Sequence, residues 1–431
     1  MRFVAGSPAR NGGLLEERFS RRRFVQGAVA VVGVVLIGPG RMKMFGGVET
    51  DPPNTVVAGF PARSYRAGDV AELAVHTPAR KLALEFFQAG PERRRAPSGM
   101  GGVRVTSRRE IDWHGGSGVV QLGIERWPTG LYFVRLHDDE GRSGYAPFVL
   151  RPHDADLGRA RVLVVLPTNT WGAYNFRDAA TWYANPDVTQ VDLTRPYLGG
   201  VPPHYRGYDM GFLRWFAGHG KQADFFADDD LESVPSGEEL ARRYRLIVFS
   251  GHEEYVTEHT YDIVQRFQKL GGNLMFLSAN NFFYKVEKQG NLMNGRWRWR
   301  DLGRPEARMI GAQYLDWYQD VYPNRPLTVT GAHRAPWLFE RTGFGNGSRF
   351  GTYGIEIDAL SPDSPEGVEV LAEIPHIFGP GQTAQMTHYT APNGAEVFDA
   401  GVLNFGGTAD DPGVSTMIEN LWQRLGPGNE T

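Results

Sequence analysis

The sequence predicts an α/β fold, an open, doubly wound and mostly parallel sheet, preceded by a β-sandwich. Three observations predict it. Between about residues 54 and 152 apolar side chains alternate with polar ones, as in Ala71-Leu73-Val75, Leu82-Leu84-Phe86, Val120-Leu122-Ile124 and Tyr132-Val134-Leu136. Such alternation marks strands with one face on a core and the other in water. Beyond a short polar linker the pattern changes to continuous apolar runs, Val162-Leu-Val-Val-Leu166, Leu246-Ile-Val-Phe-Ser250 and Asn273-Leu-Met-Phe-Leu-Ser278, which suit strands buried on both faces of a parallel sheet. Segments of helical spacing separate these runs, and strand-helix-strand alternation with right-handed crossovers produces a doubly wound sheet.

Length and composition agree with two folded units. At 431 residues and roughly 100–200 residues per domain, the expected division is a leader and linker over 1–49, an immunoglobulin-like sandwich over 50–153 and an α/β domain over 154–431. The 54 glycines and 28 prolines imply many turns and long loops. Formal net charge is −3, and residues 1–40 carry six arginines against Glu16 and Glu17, which leaves about −7 on the remainder. Nucleic acid is therefore not an expected partner. Cysteine is absent, which excludes disulfides, thiolate metal ligands and a cysteine nucleophile, so any metal must be held by oxygen or nitrogen.

The elements follow in order. Ser20-Arg21-Arg22-Arg23-Phe24-Val25-Gln26 precedes an apolar run over 27–38, the order of a twin-arginine export signal. That run is shorter than the roughly 20 apolar residues a spanning helix needs. A periplasmic or secreted protein is expected, touching a membrane only through this segment if it is uncleaved. The sandwich closes on a hairpin turning at Asp138-Asp-Glu-Gly141. In the α/β part, Ser236-Gly-Glu-Glu239 is a capping box for a helix over 240–244. A helix over 257–270 buries Ile263, Val264, Phe267 and Leu270 and stops at Gly271-Gly272. Asp228-Asp-Asp230, after a short strand over 223–226, suits loop acids or a helix cap, and Arg296-Trp-Arg-Trp-Arg300 suits a half-buried strand. Short strands return over 328–405 as a β-rich extension.

Parallel strands deliver their carboxyl ends to one edge, where ligands bind in such sheets. Three strand ends are unusually polar: Pro167-Thr-Asn-Thr-Trp-Gly-Ala-Tyr174-Asn175, Gly251-His252-Glu253-Glu254-Tyr255 and Ala279-Asn280-Asn281. Each alone is an ordinary loop composition, but together they converge on one crevice.

These segments, with Tyr208-Asp-Met-Gly-Phe-Leu-Arg-Trp215 and Leu277-Ser-Ala-Asn-Asn-Phe, resemble the C-terminal domain of the N,N-dimethylformamidase large (beta) subunit family, over most of residues 50–425. The resemblance implies an α/β domain similar to class I glutamine amidotransferases, with the cysteine replaced by a mononuclear, trivalent iron on two tyrosines and one glutamate. Tyr174 and Glu254 match two of those ligands. The second tyrosine is matched by Tyr208, with Tyr205 and Tyr197 nearby. His252 and Asn280 resemble residues beside the metal or against substrate, and Glu396, in Gly394-Ala-Glu-Val-Phe398, resembles a further active-site carboxylate. The implied activity is hydrolysis of a non-peptide C–N amide bond in a small molecule, with a homo-oligomer or a small partner subunit compatible with it.

The chemistry is coherent on its own terms. Phenolate and carboxylate are hard donors suited to trivalent iron, and coordination keeps tyrosine ionised below its usual pKa of about 10. An open-site metal polarises a carbonyl and activates a water. His252 or Glu396 would pass a proton to the departing amine, and Asn280 would donate to the developing oxyanion. Two other readings compete. One is a non-catalytic ligand- or carbohydrate-binding protein on the same scaffold; the other pairs Glu253 or Glu254 with Glu396 for glycoside chemistry. The sequence holds no H-E-x-x-H, Walker loop, G-x-S-x-G or strand-linked G-x-G-x-x-G, which argues against zincins, phosphate-loop enzymes, serine hydrolases and dinucleotide binding.

Overall fold

The computed structural model describes residues 51–427 apart from 97, 184, 186 and 318–323. The leader expected over 1–49 lies outside these residues. Among the described residues no helix is long and apolar enough to cross a membrane.

The alternating segments form two facing sheets. Val57–Gly59, Val70–His76 and Ser117–Gly123 make one; Ser64–Tyr65, Ser143–Leu150, Gly130–Asp138 and Lys81–Gln88 make the other, with Val103–Arg104 and Arg109–Asp112 paired to its last strand. Val70–His76 alternates exposed and buried at every residue, because successive side chains of a strand point to opposite faces. Leu73, Leu84, Val134 and Phe148 meet in the core between the sheets. At the 138–141 turn, Asp138 accepts the N–H groups of Glu140 and Arg142 at 3.0 and 2.8 Å, which ties the hairpin shut with its own side chain.

The apolar runs build a nine-stranded sheet: β1 (Val162–Leu166), β2 (Asp224–Ala227), β3 (Leu246–Phe249), β4 (Asn273–Phe276), β5 (Arg325–Val329), β6 (Arg349–Tyr353), β7 (Glu369–Ile374), β8 (Ala384–Thr390) and β9 (Glu396–Asp399). Its order is β2-β1-β3-β4-β9-β8-β7-β5-β6. Strands β2, β1, β3, β4 and β9 are parallel to their neighbours, whereas β8, β7, β5 and β6 continue antiparallel. The sheet is therefore more mixed than the sequence predicts. The late short strands extend the sheet domain: β8, β7, β5 and β6 continue from the edge of β9, while Glu356–Ala359 pairs apart from them with Gln313–Trp317. The β7–β8 and β8–β9 connections are too short for the crossover that parallel pairing needs.

Both faces of the parallel half are covered, which explains its continuous apolar runs. Leu163, Val165, Phe249 and Phe276 meet Ile263, Val264 and Phe267 of the helix Glu258–Lys269 on one face. On the other, Val164, Val248 and Met275 share a core with Met417, Ile418 and Leu421 of the helix Pro412–Leu425, and with Phe87, Leu131 and Phe133 of the sandwich. The two units thus join through one apolar interior. Helix starts follow the sequence: Ser236 Oγ accepts the Glu239 N–H at 3.3 Å and Thr257 Oγ1 accepts that of Thr260 at 3.1 Å. The acids after β2 begin a short helix, with Asp230 Oδ2 accepting the Ala227 N–H. Leu292–Arg298 is a largely half-buried strand in a small sheet with Gln190–Asp192, Tyr284–Gln289 and Tyr255–Thr257.

Candidate functional site

The register fixes which side chains meet. Val165, Phe226, Phe249, Phe276 and Asp399 stand side by side near the carboxyl edge of the parallel strands, with Leu166 and Ala227 one residue beyond. From there β1 leads through Pro167 into the short helix Thr168–Ala173, with Tyr174 at its end. Its polar residues fasten neighbouring loops to one another. Thr168 Oγ1 and the Asn169 N–H bond Asp228 at 2.9 and 2.6 Å, Asn169 Nδ2 donates to the Tyr255 carbonyl at 3.1 Å, and Thr170 Oγ1 accepts the Glu254 N–H at 3.1 Å. The loop after β3 is held from its other side by the N–H groups of Phe282 and Tyr284, which bond the carbonyls of Glu253 and Glu254 at 2.6 and 2.9 Å.

Within this frame the Tyr174 hydroxyl donates to Glu254 Oε2. His252 Nε2 lies 3.7 Å from the same Glu254 oxygen and 3.4 Å from Glu356 Oε2. Asn280 Nδ2 donates to Glu356 Oε2 at 2.7 Å, and the Tyr183 hydroxyl reaches Glu356 Oε1 at 3.4 Å. Tyr183 also sets its ring edge-on to Tyr174, 4.3 Å between centroids. All six side chains are buried; Glu254, Glu356 and Asn280 are each 0% exposed. Burial pushes the Tyr174 phenol well above its usual range, and the adjacent Glu254 charge pushes the same way, so Tyr174 is the neutral donor of this pair.

Of the residues singled out by sequence, Tyr174, His252, Glu254 and Asn280 come together. Tyr208 is one ring removed: it stacks on His204 at 4.9 Å, and His204 faces Tyr174 edge-on at 6.1 Å. Burial lowers the His204 imidazole to about 4, which leaves it neutral between the two phenols. Tyr205 and Tyr197 point elsewhere, into the apolar interior shared with the sandwich.

Glu396 is not part of the cluster. It opens β9 at the amino edge of the sheet, where its N–H bonds Asn273 Oδ1 at 2.8 Å, three residues before the Asp399 level and so about 10 Å away along the strand. His388 and Arg424 hold its carboxylate at 3.1 and 3.0 Å, keeping it below the usual range against the opposing pull of burial. This separation also parts the Glu253/Glu254 and Glu396 carboxylates required for glycoside chemistry. Glu253 is turned instead toward Asp228, where burial and that neighbouring acid hold its proton on.

Sequence reasoning missed Glu356, Tyr183 and His204. Glu356 and Asp358 alternate with Ile357 on the buried strand Glu356–Ala359, a pattern that reads as a solvent-facing edge when only the sequence is seen. Tyr183 lies close to Tyr174 in sequence, and the Trp182-Tyr183 pair was the available signal.

Among the described residues no group of three or more His, Cys, Asp or Glu side chains is arranged to hold a metal. An ion here would have to draw on phenolic oxygen as well. The donors fit such an ion in kind: a phenol and a carboxylate already in contact, an imidazole beside them, and a second phenol behind His204.

An enclosed phenol, carboxylate and imidazole at the carboxyl edge of a parallel sheet place the chain among α/β proteins with a buried polar site. It belongs to the N,N-dimethylformamidase beta subunit-like, C-terminal family, which matches residues 112–417. The chain is similar to the N,N-dimethylformamidase beta subunit of Alcaligenes sp, 30% identical over 151 residues, covering 31% of this chain and 20% of that one. It is also similar to that of Paracoccus aminophilus, 28% identical over 150 residues, covering 31% and 19%. The matched stretch thus spans about a fifth of these relatives' length. Among solved structures, the mmIFT52 N-terminal domain aligns at TM-score 0.31 and 10% identity, over 49% of this chain and 88% of that one. A polysaccharide lyase aligns at TM-score 0.18 and 15% identity, over 25% and 14%. Neither is close enough to guide the reading.

Proposed function

We propose that this chain is an exported hydrolase of non-peptide C–N amide bonds in small molecules, working with a mononuclear iron. The family supports a dimethylformamidase-like hydrolase as the class of activity. The observation that carries the finer reading is the contact of the Tyr174 hydroxyl with the Glu254 carboxylate, with His252 between Glu254 and Glu356. Tyr174 and Glu254 would hold the ion, with Tyr208 as the further phenolic ligand. When bound, such an ion polarises an amide carbonyl and lowers the pKa of a water.

The chain's own residues do the rest. His252 Nε2, within reach of two carboxylates, is placed to take a proton from water and return it to the departing nitrogen. Glu356 orients that imidazole and the Asn280 amide together. The aromatic surround of Trp182, Tyr183, Tyr255, Phe283 and Tyr314 excludes bulk water, which strengthens each polar contact inside. The twin-arginine-like segment supports export, and partner subunits follow only by analogy with the relatives' names.

The test joins metal analysis to an assay. The purified protein is expected to contain iron and to hydrolyse small formamides or acetamides, and His252→Ala to keep its iron while losing turnover. A folded, iron-loaded protein without amidase activity would overturn the reading.

A further inference from the structure

Tyr174 opens a long connection with little secondary structure of its own. Among the described residues between it and the helix Tyr205–Tyr208, the regular pieces are the three-residue strand Gln190–Asp192 and a short turn at Leu198–Gly200. A connection of this kind keeps a fixed course only where outside contacts impose one. Tyr174 and Tyr183, the two phenols that reach Glu254 and Glu356, both lie on it. Whatever anchors the connection therefore also places the site.

The anchor comes from outside the α/β unit. Arg177, shortly after Tyr174, meets the carboxylate of Asp51 with both terminal nitrogens, Nη1 on Oδ2 and Nη2 on Oδ1, each at 2.6 Å. Both side chains are only 11% exposed, and a two-point, largely dry arginine–carboxylate pair is a far stronger contact than a surface ion pair. Asp51 Oδ1 also accepts the Gly199 N–H at 2.8 Å. Arg177 directs further bonds within the connection, Nε to the Pro196 carbonyl at 2.8 Å and Nη2 to that of Tyr197 at 3.2 Å. Asn175 bridges the same turn: its Nδ2 donates to the Pro196 carbonyl at 2.9 Å and its Oδ1 accepts the Leu198 N–H at 3.0 Å. One carboxylate thus ties the residues just after Tyr174 to the turn over 196–199.

Asp51 is fixed in turn to the sandwich. The Asn54 carbonyl accepts the Ser143 N–H at 3.1 Å and the Val56 N–H donates to the Ser143 carbonyl at 3.0 Å, which pins residues 54–56 to the strand Ser143–Leu150. The turn lies flush on the same unit: a Cβ on Gly59 would stand 3.0 Å from Pro196 Cγ, and one on Gly200 2.4 Å from the Tyr145 carbonyl oxygen. Arg63 donates to the Arg195 carbonyl at 3.1 Å and lies 4.5 Å above the Tyr197 ring. We propose that Asp51 is a positioning residue for the buried site: its ion pair with Arg177 holds the connection after Tyr174 against the sandwich and so sets where the Tyr174 and Tyr183 hydroxyls stand. The sandwich is then part of the working site. The effect on turnover rests on the proposed amide hydrolysis; the clamp itself does not.

The test separates local opening from general loss of stability. Hydrogen exchange, followed by mass spectrometry on the full chain, compares wild type with Asp51→Ala; Asp51→Asn, which keeps the size and removes the charge, takes its place if the first variant fails to fold by circular dichroism. Glu85→Ala is the control. It breaks a buried ion pair of the same sandwich, with Arg104 and Arg135, two strands away from Ser143–Leu150. Peptides over 172–200 are expected to exchange at least about tenfold faster in Asp51→Ala, because charge-assisted hydrogen bonds are lost, while those of the helix Glu258–Lys269 change by less than about twofold. Glu85→Ala is expected to leave 172–200 within about twofold of wild type. In amide hydrolysis Asp51→Ala should lower kcat by at least about tenfold and shift KM by less than about threefold, as misplacement of reacting groups does. Unchanged exchange over 172–200, equal opening of those peptides in Glu85→Ala, or a kinetic change confined to KM would each overturn the inference. Absence of hydrolysis in wild type would remove the proposed reaction and leave the exchange result alone to decide the clamp.

Discussion

The hydroxyl of Tyr174 and the carboxylate of Glu254, 80 residues apart in the chain, share a hydrogen bond at the carboxyl edge of the central sheet. Neither residue would carry chemistry alone. A buried phenol keeps its proton, and a buried carboxylate needs a donor. Their contact supplies both needs, and under the proposed function it would offer an ion two hard oxygens in one place in exchange for the shared proton.

That replacement gives the first prediction. Glu254→Gln preserves size and removes the charge, so iron content after purification and dialysis is expected to fall by at least about tenfold. Tyr174→Phe is expected to weaken the visible phenolate-to-iron absorption. Full iron occupancy in Glu254→Gln, by elemental analysis, would count against this carboxylate as a ligand.

The second prediction separates two glutamates. Glu356 contacts Asn280 and lies by His252, whereas Glu396 is tied to His388 and Arg424 at the opposite edge. Glu356→Ala is expected to lower kcat/KM by about 10²-fold or more. Glu396→Gln should alter it by less than about threefold while costing on the order of 1 kcal/mol of stability, because only hydrogen bonds are weakened. Urea unfolding and steady-state rates on both variants check this. The reverse ranking would return Glu396 to the active site.

The limits of sequence reading follow from the same residues. Val162–Leu166, Leu246–Phe249 and Asn273–Phe276 were legible because burial on both faces writes itself as a continuous apolar run, and Tyr174, His252, Glu254 and Asn280 because each sits just beyond such a run. Glu356 was not. It reaches the cluster from a ribbon formed by Gln313–Trp317 and Glu356–Ala359, whose placement depends on long-range pairing that no local period encodes. Glu396 was misplaced for a related reason. An acid next to an apolar strand looks the same at either end, and only the register of β9 on β4 shows which edge it occupies.

A third prediction concerns how the short helix Tyr205–Tyr208, and the helix Met210–Gly218 that follows it, are held. Gly407 packs so closely against them that an added Cβ would stand 1.7 Å from the Gly207 carbonyl oxygen, and a Cβ on Gly211 would stand 2.2 Å from that of Gly407. Backbone cannot yield as a side-chain tip can. Gly407→Ala is expected to destabilise the fold by about 3 kcal/mol, measured by denaturant unfolding, and to lower iron affinity by moving Tyr208. Unchanged stability would mean that the contact between these segments is looser than described.

The last prediction concerns pH and Asp358. Burial raises its carboxyl from 3.8 to about 7, with Glu306 pushing the same way, and the Asn280 N–H and Arg300 opposing. The carboxyl of Asp399 is raised as well, by burial first and then by the charge of Asp358, so the two acids are coupled. The folded chain therefore binds this proton more strongly than the unfolded chain does. The stabilisation is complete below about pH 4 and is lost as pH climbs toward 7, so wild type is penalised at neutral pH. Asp358→Asn does not titrate, and its amide oxygen can still accept the Asn280 N–H. Its stability relative to wild type should increase between pH 4.5 and pH 8, by roughly 2 kcal/mol, below the limit of about 1.4 kcal/mol per unit because Asp399 shares the proton. Urea unfolding of both proteins across that range decides it. Parallel stability curves would mean that Asp358 does not carry the titration, and a variant that loses ground as pH rises would reverse the sign of the argument.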